Sequence, residues 1–268
     1  MGRMWLGGAI AALLLVTSGG DAAGQDVEAF LAGETNDCPG CDLTEADLKR
    51  RNLAGANLRD AILVRATLHR AVLRGAILSG ADLTQANLNK TDLVQADFSN
   101  AKLNRAMMFE ANASGANFSG ADMSDGFMGS IRLIGANLSG AVAVAADFGN
   151  GDFNNSNLAT ANLNGATMYQ SSLMRADLSG ALVSGAEMTQ ARMREAVLEN
   201  AVVRNTLLYD ADLSKAKLVG ADFSGSNLTA ANLFDADTTG AVFSGAVMPN
   251  GTTSRGEPAV PAAETITR

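Results

Sequence analysis

The chain has 268 residues, a normal apolar fraction, few aromatics and a formal charge of −8. It is long enough to bury a core, and its charge gives it no general attraction for anionic polymers. One His and two Cys cannot assemble a Cys/His metal cluster within a single chain.

In chain order, residues 1–24 have the layout of a secretory signal peptide. Arg3 is a short positive region, Trp5 to Val16 an apolar run, and small residues lead to a cleavage point after Ala22 or Gly24. The alternative is a buried N-terminal helix. The run is too short to span a bilayer and no other approaches that length, so the chain is expected to be exported, periplasmic or extracellular, and not membrane-spanning. Residues 25–40 read as a cap. Gln25 to Glu34 place Val27, Phe30 and Leu31 on one helical face, and so short a helix is stable only when that face docks.

From Leu43 to Met248 a large apolar residue recurs every five positions without a slip. Of 42 such centres, 37 are Leu, Met or Phe, and 32 of the 42 positions two residues earlier are Ala. Five residues advance a helix by about 500°, which leaves no apolar stripe. Five is also odd, so on one long strand successive centres would alternate faces. A turn must therefore fall within each five. The Ala and the centre, two apart, point the same way along an extended segment. Four segments then close a square, and coils of twenty residues stack at about 4.8 Å. Gly75, Gly80, Gly115, Gly120, Gly135 and Gly140 occupy the last position of the five, where a tight turn is needed. Residues 249–268 lose the period and read as a disordered tail.

The repeated A-(D/N)-L-x-x, as in ADLTQ, ANLNK, ANLSG and ADFSG, resembles the pentapeptide-repeat family. The resemblance implies an all-β, right-handed quadrilateral β-helix over residues 41–248 with a short N-terminal capping helix. At about 4.8 Å per coil that is a rod roughly 50 Å long.

Cys38-Pro39-Gly40-Cys41 has two main readings, with a shared metal as a third. A redox dithiol needs a helix start in a βαβ setting, which the pattern lacks. A structural disulfide fits an exported chain, because Cys41 takes the inward small position of the first repeat and Cys38 falls in phase with the centres. A C-x-x-C leading into C-D-L is similar to the opening of exported members of the family.

Residues twenty apart stack, so the surface reads as columns. Asp82, Lys102 and Asp122, Arg132 with Asp152, Arg192 with Asp212, and Lys217 with Asp237 are expected as opposite-charge neighbours. Asn117, Asn137 and Asn157 are expected as an amide ladder. Arg50, Arg70 and Lys90 stack like charges near the cap. Residues 49–75 carry seven basic residues against Asp60 alone, a local +6 that leaves −14 for the rest. That end is a candidate patch for an anionic partner, or else a solvated face. His69, Phe109, Tyr169 and Tyr209 share an outward column, with Met107, Phe127 and Leu207 beside it. Phe109, Phe127, Tyr169 and Tyr209 form a candidate apolar contact strip, or else pack locally across the turns or in a widened coil, and His69 reads as a surface residue.

A filled interior leaves no place for a catalytic pocket, a cofactor, a metal or a small-molecule substrate. The expected role is a non-catalytic scaffold with a protein or envelope partner, as a monomer or an end-to-end dimer. The resemblance also implies an alternative, the DNA mimics that bind DNA gyrase and protect it from quinolones. The signal peptide, the charge-balanced columns and the basic end depart from that group, and nucleic acid is not an expected partner.

Overall fold

Asp82 to Ala86 illustrates how the chain is built in the computed structural model, which describes residues 27–255. The centre Leu83 donates its N–H forward to the Lys102 carbonyl at 2.7 Å, and Asp82 donates backward to Ala61 at 2.9 Å. Gln85 donates forward to Asn104 at 2.9 Å, and Ala86 closes the turn on the Leu83 carbonyl at 2.9 Å. The fifth N–H, on Thr84, is taken by Asp82 Oδ1 at 3.0 Å. Every backbone donor of the repeat thus has an acceptor, as buried or half-buried amides require. The Asp or Asn before the centre is there for this Asx turn.

Parallel bridges pair each residue of this outward position with the one twenty later, from Asp42 with Ile62 to Asn227 with Val247. The result is a right-handed square solenoid. Face 1 carries centres Leu43, Leu63 and Leu83 and their successors; face 2 begins at Leu48, face 3 at Leu53 and face 4 at Leu58. Centres and Ala residues fill the axis, almost all fully buried. Phe98 stacks on Phe118 (centroids 4.9 Å apart) and Phe223 on Phe243 (5.2 Å) along their columns.

Departures from Ala are compensated locally. Thr91, Ser156, Ser171, Thr206 and Ser226 bury their hydroxyls and donate to backbone carbonyls. At Gly151 a Cβ would sit 2.8 Å from the Phe148 carbonyl and 2.9 Å from the Phe153 ring. A glycine there makes room for the large centre beside it. The last residue of each five has positive φ, and many are not glycine, among them Arg50, Arg70, Lys90 and Ala145. The turn tolerates the left-handed conformation at a cost that glycine avoids.

The two ends differ. Helix α1, Val27–Ala32, plugs the first coil with fully buried Phe30, and Arg51 lies over that ring, 4.7 Å from its centroid. Val27 packs against the core, but Leu31 is 49% exposed: six residues make under two turns, and the single docked face is spent on Phe30. Cys38 and Cys41 are buried and joined by a disulfide, with Cα atoms 5.4 Å apart. Cys38 N–H also reaches the Asn57 carbonyl at 2.8 Å, which stitches this loop onto the first coil. At the other end the chain stays ordered beyond the expected limit. Met248 N–H bonds Thr252, Ser254 N–H bonds Ala246, and Val247 pairs antiparallel with Thr253. Residues 249–255 therefore fold back over one side of the last coil. On the other three sides the N–H groups of Leu233, Thr238 and Phe243 donate to nothing among the described residues. Residues 1–26, which include the segment 1–24 read as a signal peptide, and residues 256–268 of the tail lie outside the described residues. Among those described, no helix is long and apolar enough to cross a membrane.

Candidate functional site

Much of the surface is clothed by the repeat's own polar logic, although Ile62, Val142, Leu182 and Val242 on face 1 and Ile134, Met174 and Phe234 on face 3 are exposed. Asp97, Asn117 and Asn137 on face 4 form a side-chain ladder with links of 3.0 and 3.1 Å. Asn157 adds no further link to it, although like Asn117 and Asn137 it accepts the N–H two residues on, from Ala159 at 2.9 Å. The expected vertical ion pairs are mostly absent among the described residues. Lys102 reaches Asp82 at 3.7 Å, but Arg132 and Asp152, and Arg192 and Asp212, form no ion pair beyond their backbone bridges, and Lys217 acts on Asp237 through its charge without a direct contact. The stacked pairs sit at the corners instead: Arg65 with Glu45 (2.7 Å), Lys90 with Glu110 (3.2 Å) and Arg175 with Glu195 (3.0 Å). Others run diagonally, Arg74 to Asp92 and Arg204 to Asp222. The short Asp152, Asp212 and Asp237 are each held in their own Asx turn; at the corners two long side chains can lean along the axis. All these pairs are solvent-exposed on at least one side and contribute about 0–1 kcal/mol each.

The basic end is partly neutralised in the same way. Arg50, Arg70 and Lys90 stack at successive corners with left-handed φ. Lys90 is paired, while Arg50 and Arg70 have no ion pair among the described residues.

Face 2 departs most from the polar pattern. Phe109, Phe127, Tyr169, Leu207 and Tyr209 stand exposed along it, Phe127 at 55%. Met107 takes the position of the usual Asx acceptor, and the orphaned Phe109 N–H is taken instead by Asn89 Oδ1 of the coil before, at 2.8 Å. The same substitution serves Met174 and Ser184, through Asn154 and Asn164. Beside Tyr169 and Tyr209 the corner carries an amide ladder, Gln170 to Gln190 at 2.8 Å and Gln190 to Asp210 at 3.2 Å.

Between Phe109 and Tyr169 the column holds Gly129 and Gly149. The surface drops to the backbone over two coils and leaves a depression of about 240 Å³. Column reading places the aromatics on this face, but the depression was missed; the signal was the pair of glycines at 129 and 149, twenty apart. A second depression of about 370 Å³ on face 3 is lined by Arg175, Arg194 and Glu195. Its charges are spent on one another, at 3.0 and 3.4 Å.

Comparison with known proteins bears on the fold. The family described as Pentapeptide repeats matches in eight copies, over residues 41–80, 76–112, 96–125, 144–180 and 171–208, more than half of the chain. Among solved structures, HetL, a pentapeptide repeat protein involved in heterocyst differentiation regulation from the cyanobacterium Nostoc sp. strain PCC 7120, is 29% identical over 85% of this chain and 98% of its own, with a TM-score of 0.42. QnrB1, a plasmid-mediated fluoroquinolone resistance protein, is 19% identical over 75% of this chain and 88% of its own, with a TM-score of 0.38. A pentapeptide repeat protein from the Arabidopsis thaliana thylakoid lumen is 29% identical over 44% of this chain and 69% of its own, with a TM-score of 0.26. No curated protein matches.

Proposed function

Since the chain belongs to the pentapeptide-repeat family, we propose that it is an exported, non-catalytic rod that serves as a structural or interaction scaffold in the cell envelope, with face 2 as its contact surface. The observation that carries this reading is the clustering on one face of four exposed aromatic residues, Phe109, Phe127, Tyr169 and Tyr209. Exposed apolar side chains gathered on one face mark contact sites. Aromatic residues supply much of the energy when such sites engage a partner. The Cys38–Cys41 disulfide accords with an oxidising compartment. The gyrase-mimic alternative is not favoured, because the cap end is basic, with a local charge of +6 over residues 49–75.

The test has two arms. Fractionation of the native host with N-terminal mapping should recover a chain beginning near Gln25 outside the cytoplasm. Cross-linking in the envelope should then trap a partner that Phe127→Ala with Tyr169→Ala releases. A cytoplasmic chain beginning at Met1 would refute the export arm, and an unchanged cross-link would refute the role of face 2.

A further inference from the structure

The depression on face 2 has the size, lining and exposure of a site for one sugar ring. Its floor is Gly129 and Gly149. Phe109 forms the wall toward the cap, and its ring leans over Gly129, where a Cβ would lie 3.5 Å from the ring edge. Phe127 stands on the flank. The far edge is polar. Asp147 spends one carboxylate oxygen on the Gly149 N–H at 2.9 Å and keeps the other. The Ser130 hydroxyl and the Asn150 amide have no hydrogen-bond partner among the described residues, and both line the depression.

Each property narrows the ligand. At about 240 Å³ the depression is below the roughly 300–1,000 Å³ of drug-sized pockets, which leaves room for one six-membered ring. The walls are aromatic rings, against which the C–H face of a pyranose can pack. The unspent groups are a carboxylate oxygen, an amide and a hydroxyl, the set that reads adjacent sugar hydroxyls with paired donors and acceptors. No cation lines the site, so a phosphate or a uronic acid would meet Asp147 uncompensated. A lipid chain would leave the polar edge unpaired. The column then continues through Tyr169 to Tyr209. Coils advance by about 4.8 Å, and an extended β-linked pyranose chain advances per ring by close to that distance. The small difference leaves a short run of rings laid along face 2 close to the column as far as Tyr169.

We infer that face 2 binds a neutral β-linked glycan, with one pyranose seated between Phe109 and Phe127 over Gly129 and Gly149 and the chain running toward Tyr169. This goes beyond the scaffold reading and does not depend on export. It is measured on purified protein, whereas export is read by fractionation, so either can fail alone.

The experiment is ligand-observed saturation-transfer NMR on the full chain with cellotetraose and chitotetraose, followed by titration. Binding of at least one is expected, with saturation concentrated on one ring face. Gly129→Thr with Gly149→Thr fills the depression using the residue that this column already carries at Thr189 and Thr229. It should weaken binding at least tenfold while Phe109 and Phe127 stay in place. Phe127→Ala, at an exposed position, should do the same with an unchanged melt, and it decides the matter if the double variant fails to fold. Phe127→Tyr should restore binding. No transfer to either tetraose, or binding that both variants leave intact, would overturn the proposal.

Discussion

Asp82 serves the fold through its side chain as much as its backbone, and the same holds wherever Asp or Asn precedes a centre. At Asp237 the Thr239 hydroxyl and then its N–H hold the carboxyl below the usual range. At Asp42 the Thr44 hydroxyl and N–H do the same. The native state therefore binds fewer protons than an unfolded chain with Asp near 3.9. The stability these groups contribute is present above that value and is lost as pH falls through the lowered native pKa. Thermal melts should hold steady through neutral pH and decline below about pH 4. Asp237→Asn keeps the acceptor oxygen and should flatten part of that acid decline without lowering the neutral melt. Backbone conformation gives a second pair of predictions. Ala145 sits at φ 56° with no side-chain function, so Ala145→Gly should gain about 0.5–1 kcal/mol in urea denaturation. Gly151→Ala should lose about 1–3 kcal/mol, because the new methyl meets the Phe148 carbonyl and the Phe153 ring.

At the level of elements, the cap holds the first coil closed. Phe30 is fully buried and Cys38–Cys41 closes a loop of separation three. Phe30→Ala should cost about 3–5 kcal/mol locally, and loss of the disulfide about 2 kcal/mol. Both should appear as faster hydrogen exchange in residues 41–60, with the middle coils unchanged, because a solenoid's stability is summed from neighbours. If exchange rises uniformly along the rod, the cap acts on the whole and this account is wrong. How much of the molecule was legible in the chain follows from the same local rules. The phase of Leu83, Leu88 and Leu93 was enough to give the coil, its inward face and its register, since one insertion would have broken all three. The inward position of Cys38 and Cys41 followed from that phase. The ion pairs did not. Stacking by twenty finds neighbours but not which side chains reach each other, and Arg74 with Asp92 is eighteen apart. Leu31 was placed on the docked face because a helical pattern records direction, not how much surface a short helix finds to cover. The depression between Phe109 and Tyr169 depends on what glycines lack, and composition does not mark that as a shape.

Taken whole, the rod keeps two independent rhythms. The core repeats every five residues and the surface every twenty. An added pentapeptide such as Ala-Asp-Leu-Ser-Gly after Gly140 would find a native environment at every inward position, yet would carry everything beyond it round by a quarter turn. The melt should change little. Gly149, Tyr169 and Tyr209 would leave the face that holds Phe109 and Phe127, and any binding along face 2 should vanish. An added block of twenty would instead lengthen the rod by one coil and return every later residue to its old face. Duplication in multiples of a full coil can thus extend a working surface, whereas duplication by a single repeat shuffles which surfaces coexist, without the core registering any difference.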